Sequence, residues 1–436
     1  MNAVFFALVL IAFAIAGVRE FAWAPAGADP QSPMEALSLA MVDAAGGAVT
    51  LAIGLVGVMA LFLGLMKVAE AGGLLVIIAR TVRPLMLRLF PDVPADHPAM
   101  GAMILNLSAN VLGLGNAATP FGIRAMQELD TLNPHKGTAT DAMALFLAIN
   151  TSSVTLLPTG IIALRAAAGS SDPAGILPTT LIATICSTTV AILAAKFYQR
   201  FSPAPAAAIA AAHNPGPEQD RPAPPRDGDG LQAGASEGYP AWVSMLVLAG
   251  IAGLVPLTIV YGKAISPWII PGLMVSLLGF GLARKVPVYE TFVEGAKDGF
   301  QVALRIIPYL VAILVAVGMF RASGAMELLV EPVGRVTGPL GLPPEALSMA
   351  LLRPLSGSGA YGIVASIIED PAIGPDSYTG YLVSTLQGST ETTFYVIAVY
   401  FGAIQVRRIR HTLAAGLSAD LAGVVGAVAI CSYLFG

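Results

Sequence analysis

Charge is what this sequence has least of. Lys, Arg, Asp and Glu supply 11% of 436 residues, whereas soluble domains carry about 25%, so water is not the solvent for most of the chain. Cysteine occurs twice, at Cys186 and Cys431, each inside an apolar run, which excludes a disulfide framework or a CxxC metal site. The four histidines, His97, His135, His213 and His411, fall in loops or in a linker. No P-loop, HExxH or GxSxG occurs, so an enzyme or an ATP-driven pump is not expected, and no cofactor is implied. A long basic tract is missing and the net charge is −4, which argues against nucleic acid as a partner. Present instead are 46 Gly, 32 Pro and 56% hydrophobic residues, with a mean hydropathy of +0.76. That composition excludes collagen, coiled coil and disorder, and predicts close-packed or interrupted helices in a lipid bilayer.

Nine apolar runs approach the ~20 residues needed to span: Ala3–Val18, Val49–Met66, Thr140–Ala163, Ile176–Lys196, Ala241–Tyr261, Ser266–Ala283, Gly299–Phe320, Tyr378–Ile404 and Thr412–Phe435. The first lacks a basic leading segment, and although Phe21-Ala-Trp-Ala-Pro25 has the look of a cleavage site, a retained helix is expected. Pro98–Phe121 and Leu342–Ile368 are broken by Gly, Ser, Asn and Pro and read as re-entrant hairpins, since irregular backbone at membrane depth survives only in protein or around a cavity. With the N-terminus inside, sixteen Lys and Arg fall on the cytoplasmic side and six on the other. That predicts a multi-pass protein of the bacterial cytoplasmic (inner) membrane, N-terminus inside and C-terminus outside.

Residues 201–240 hold eight of the prolines and read as a cytoplasmic linker between a membrane unit at 1–200 and another at 241–436. The two units follow one plan. Arg80-Thr-Val-Arg-Pro-Leu85 matches Arg335-Val-Thr-Gly-Pro-Leu340, Leu107-Ser-Ala-Asn-Val-Leu-Gly-Leu-Gly115 matches Leu355-Ser-Gly-Ser-Gly359, and Asn150-Thr-Ser-Ser-Val-Thr155 matches Gln387-Gly-Ser-Thr-Glu-Thr-Thr393. Three matches in one order predict a repeat. The unmatched span 241–261 reverses parity, so the repeats are read as inverted, as in many secondary transporters. The fold class expected is an all-α polytopic membrane protein with about nine spans and two hairpins.

Glu391 lies thirteen positions from both Tyr378 and Ile404, about 20 Å from each end of a helix rising 1.5 Å per residue. Ionisable groups at such depth are costly and usually functional. Gln387, Ser389, Thr390, Thr392 and Thr393 surround it with donors and acceptors. Binding or coupling to H⁺ or Na⁺ is one reading; polar adhesion between helices is the other. Val154 stands at the matching position of the first unit. Arg353, at the head of Arg353-Pro-Leu-Ser-Gly-Ser-Gly359, either binds an anion or pairs with Glu391, or else satisfies hairpin carbonyls. Ser356 and Ser358 lie on the hairpin tip beside it. Asn106, Ser108, Asn110, Asn116 and Thr119 are the polar residues of the first hairpin, and Asn150, Ser152 and Ser153 those of the span that follows. All are candidates to bind a solute.

Gly115-Asn-Ala-Ala-Thr-Pro-Phe-Gly-Ile-Arg-Ala-Met126 and Asn150-Thr-Ser-Ser153 resemble the spore maturation protein A family. Arg353-Pro-Leu-Ser-Gly-Ser-Gly-Ala360 and Gln387-Gly-Ser-Thr-Glu-Thr-Thr-Phe394 resemble spore maturation protein B. The resemblance covers nearly everything except the linker and implies a fusion of two Gate, or nucleoside-recognition, units related to nucleoside transporters. The leading expectation is a secondary transporter of a small polar solute, nucleoside- or amino-acid-like, coupled to H⁺ or Na⁺. The alternative is a non-transporting membrane component acting in envelope or spore maturation. A homo-oligomer is left open.

Overall fold

The computed structural model describes residues 2–24, 31–113, 115–202, 238–325, 328 and 331–436. Most of the linker (203–237) and the side chains of Asn116 and Arg305 lie outside the described residues. The chain is helical, and among the described residues the one β-type contact is an isolated bridge between Thr138 and Arg408. Pro33–Ala71, Pro173–Phe201 and Thr412–Phe435 are long and apolar enough to cross a membrane.

The first unit runs α1 (Asn2–Phe21), α2 (Pro33–Ala71), α3 (Leu74–Leu89), α4 (Pro98–Val111), α5 (Gly115–Thr131), α6 (Asp141–Thr151), α7 (Thr159–Ala167) and α8 (Leu177–Tyr198). The second runs α9 (Ala241–Ala283), α10 (Val288–Ala322), α11 (Glu331–Thr337), α12 (Pro344–Leu352), α13 (Gly357–Ile368), α14 (Tyr378–Ser389), α15 (Thr393–Ala403) and α16 (Thr412–Phe435). Ser32 starts α2 with a capping box: its hydroxyl accepts from Glu35 N–H at 3.3 Å, and the Glu35 carboxylate accepts from Ser32 N–H at 3.0 Å.

Two expected spans differ from the structure in the same way. Thr140–Ala163 is α6 and α7 in series, and Tyr378–Ile404 is α14 and α15, each pair separated by non-helical backbone. In the first, Ser152 and Ser153 turn their hydroxyls back onto the carbonyls of Ala148, Ile149 and Asn150. Pro158, which has no N–H, then precedes α7. In the second, Thr390 takes an extended conformation (φ −144°, ψ 163°). Conversely, Ala241–Tyr261 and Ser266–Ala283, read as two spans, form the single helix α9. The segments 98–121 and 342–368 are helix–turn–helix hairpins, α4–α5 and α12–α13.

The two long helices α2 and α10 lie antiparallel along small residues. A Cβ added to Gly295 would meet the Leu63 carbonyl at 2.6 Å, one on Gly299 the Ala60 Cα at 2.6 Å, and one on Gly318 the Ala44 Cβ at 3.2 Å. Two apolar cores flank them. One joins α4, α5 and α6 to Val396, Tyr400 and Phe401 of α15. The other joins α13 and α14 to Ile161, Ile162 and Leu164 of α7. Each hairpin therefore packs with its own first half-helix and with the other unit's second half-helix.

Candidate functional site

The two helix breaks meet in the interior. Glu391 N–H donates to the Thr151 carbonyl at 2.8 Å, joining the second unit's break to the last residue of α6. Breaking a helix frees backbone groups that must find partners, and each break finds one in its own hairpin turn. Leu156 N–H donates to the Val111 carbonyl at 2.9 Å, and Phe394 N–H to the Pro354 carbonyl at 3.1 Å. The first approach depends on Gly113, whose φ is +77° and where a Cβ would lie 2.2 Å from the Leu157 carbonyl oxygen.

Neutral groups line the first junction. Asn110 donates to the Asn150 side-chain oxygen at 3.0 Å, and Asn150 donates to the Phe146 carbonyl at 2.9 Å. The second junction is charged. Arg353 is buried and donates to the Thr392 hydroxyl at 3.0 Å and to the Thr390 carbonyl, with the Glu391 carboxylate 3.8 Å away. The Glu391 side chain is 52% exposed, and Leu351, Leu355, Phe394 and Tyr395, close in sequence to Arg353 or Glu391, are exposed as well. Glu391 thus sits on the unwound link rather than on a helix face, and its charge is directed at a buried guanidinium.

Of the residues read from the sequence, Asn110, Asn150, Arg353, Thr390, Glu391 and Thr392 come together at these junctions. Ser356 caps α13 by accepting from Gly359 N–H at 3.0 Å. Ser108 and Ser389 spend their hydroxyl protons on carbonyls within their own helices, and Ser152 and Ser153 spend theirs on carbonyls near the end of α6. Ser358 is exposed on the first turn of α13, and Thr119 is partly buried on α5. Asn106 is fully buried beneath Tyr400, donating to its hydroxyl at 3.2 Å and to the Ala118 carbonyl at 2.8 Å. Gln387 is partly buried, and its side-chain oxygen has no partner.

Asp420 on α16 escaped the sequence reading. Its Oδ2 accepts from the Thr393 hydroxyl at 2.7 Å. It is the one charged residue in the 24 of α16, a signal as plain as that of Glu391, although without a polar neighbourhood in sequence. Arg353 Nε, Gln387 Oε1, Thr180 Oγ1 and Asp420 Oδ1 are buried without protein partners, and Thr180 lies against Gly388 in the last turn of α14. Leaving such an atom unpaired costs about 1–3 kcal/mol.

Two charged ties close the ends of the crossed half-helices. At one end Arg165, fully buried, donates to the Pro375 carbonyl at 2.6 Å and the Asp376 carboxylate at 3.0 Å, with its guanidinium 4.2 Å from the centre of the Tyr381 ring. The Ser171 N–H adds a bond to Asp376 at 2.8 Å. At the other end Arg410 pairs with Asp141 at 2.8 Å and donates to the Ala139 carbonyl at 3.1 Å, while Arg407 and Arg408 N–H both donate to the Gly137 carbonyl. In the first tie burial by itself would raise the Asp376 pKa, but hydrogen bonds from Ser170 and Ser171 and the Arg165 charge outweigh it and hold the carboxyl below its usual range.

Interrupted helices crossing within a helical bundle define a polytopic membrane protein whose polar groups converge on its interior. The chain belongs to the Gate family, described as nucleoside recognition, whose model matches residues 52–168 and 303–407. It is similar to spore maturation protein B of Bacillus subtilis (strain 168), at 45% identity over 38% of this chain and 93% of that protein. It is also similar to spore maturation protein A of the same organism, at 48% identity over 35% of this chain and 77% of that protein. Each relative covers part of the chain, consistent with a fusion. No solved structure matches it significantly.

Proposed function

We propose that this chain is a secondary transporter that moves a small polar solute, nucleoside- or amino-acid-like, by alternating access between two inverted repeats (1–200 and 241–436) joined at 201–240. The observation that carries this reading is the pairing of the two end ties. The shift of 237 (387 minus 150) that aligns Asn150 with Gln387 carries Thr138 to Pro375 and Arg408 to Ser171. The Thr138–Arg408 bridge at one end thus corresponds to the contact of Arg165 and Ser171 with Pro375 and Asp376 at the other. The antiparallel helices agree: the shift of 255 (335 minus 80) carries the Gly64–Gly295 contact to Met319 and Ala40, and Gly318 lies against Ala40 and Ala44. Matched elements that cross head to tail give two equivalent ends, one of which can open while the other stays shut.

The hairpins are re-entrant in this reading, and the solute binds at Arg353, Glu391, Thr390, Thr392, Asn110 and Asn150, with H⁺ or Na⁺ as driving ion. The end that holds Arg407, Arg408 and Arg410 beside Ser202 and Gly137 faces the cytoplasm, and the membrane is the bacterial inner membrane. Proteoliposomes loaded with an H⁺ or Na⁺ gradient and offered a panel of ribonucleosides and neutral amino acids test the proposal. At least one should be accumulated by the wild type and not by Glu391→Gln. Undiminished uptake by that variant removes Glu391 from the mechanism, and no uptake of any solute favours the second reading. That reading, suggested by the names of the two relatives, is a membrane component in spore or envelope maturation that carries nothing across.

A further inference from the structure

Asp420 reaches the junction from its own direction, on α16, which packs against α6, α8, α14 and α15. Two glycines bring that helix onto the unwound link. A Cβ on Gly416 would lie 2.8 Å from Thr393 Cγ2, and one on Gly423 would lie 2.7 Å from Thr390 Cγ2. Asp420 is only 6% exposed. Its Oδ2 accepts from Thr393, while Oδ1 is buried and accepts from nothing. The charged groups at the junction are Arg353, from the α12–α13 turn, and Glu391, which shares that guanidinium from the α14–α15 link. The charged ends of α6 and α8 are occupied or remote: Asp141 pairs with Arg410, and Lys196 is in the last turn of α8. The tyrosines of α14 and α15 add no charge, and Cys186 of α8 faces Gly426, further along α16.

An ionised carboxylate with a bare buried oxygen is strongly disfavoured. A metal cation at Oδ1 would need several more oxygen ligands, and among the described residues no group of three or more His, Cys, Asp or Glu comes together that could hold a metal ion. One proton on Oδ1 removes the charge without further ligands. We propose that Asp420 is a proton-binding site, neutral in the arrangement seen here, and that releasing its proton creates a second anion competing with Glu391 for Arg353. As the coupling step of a transporter this rests on the function proposed above, whereas proton binding itself stands independently of it.

Infrared difference spectroscopy on the full chain in lipid nanodiscs, taken between acid and alkaline pH in H₂O and D₂O, tests the site without any solute. The carbonyl stretch of a neutral carboxyl group should disappear as pH rises, persist in Glu391→Gln and be missing from Asp420→Asn. Thr393→Val, which keeps the carboxyl but removes the hydroxyl that supports its ionised form, should move the midpoint up by about one pH unit. Identical spectra from wild type and Asp420→Asn would overturn the proposal, as would loss of the band on adding Na⁺ at constant pH. If Asp420→Asn does not fold, an unmoved midpoint in Thr393→Val overturns it alone. A band that titrates as expected in a protein that carries no solute would retire the transporter and leave the proton site in place.

Discussion

Replacing Arg165 by glutamine and Asp376 by asparagine, singly and together, measures the tie that shuts one end of the crossed half-helices. The guanidinium is fully buried and donates to Pro375, Asp172, Ser170 and Asp376 between 2.6 and 3.1 Å. Arg165→Gln strands two carbonyls and a carboxylate, which should cost about 3–5 kcal/mol. Asp376 is 34% exposed, so solvent screens its share, and the pair should couple by about 1–2 kcal/mol rather than the larger value of a fully buried pair. Denaturation in mixed micelles, followed by circular dichroism across the double-mutant cycle, reads that coupling. A value within the ~0.3–0.5 kcal/mol scatter of independent sites would refute the reasoning. The pH dependence has a definite sign. Because the folded carboxyl is held below its usual range, its contribution is present above the unfolded pKa of about 3.9 and is lost as pH falls through the folded value. Wild-type stability should therefore fall below about pH 4, and Asp376→Asn should lose that portion of the acid slope.

Gly113→Ala, which puts a Cβ 2.2 Å from the Leu157 carbonyl oxygen at φ +77°, should destabilise by about 2–4 kcal/mol in the same assay; a neutral result would mean that the hairpin and the break are not held together there. At the other end, burial first and the Arg410 charge second, partly offset by Asp141, lower the pKa of His411. The stability of the neutral ring is present above about pH 6.5 and declines as pH falls through the folded value, so His411→Gln should flatten the melting-temperature profile below about pH 6.5.

Much of the bundle was legible because its signals are local. The broken runs at 98–121 and 342–368 are helix–turn–helix hairpins, and Asn150–Thr155 and Gln387–Thr393 lie at the two breaks, although α2, expected over Val49–Met66, already begins at Pro33. The breaks themselves were not legible. An apolar stretch such as Tyr378–Ile404 has the hydropathy of a straight helix, and what allows it to open is a partner for each freed backbone group: Thr151 for Glu391, Pro354 for Phe394. Those partners are distant in sequence. For the same reason Glu391 was found but misplaced on a helix face, while Asp420, equally solitary in its run, gains meaning only through Thr393 and Arg353.

By itself the sequence determined the solvent, the helical class and the family, because composition and short motifs act within a few residues of one another. Only the tertiary structure decided that each polar-centred span is two half-helices, that each hairpin packs with both units, and that Arg165 and Arg410 tie opposite ends. Those outcomes depend on hydrogen bonds and ion pairs between residues more than 200 positions apart, which in an apolar interior determine where backbone can leave the helix.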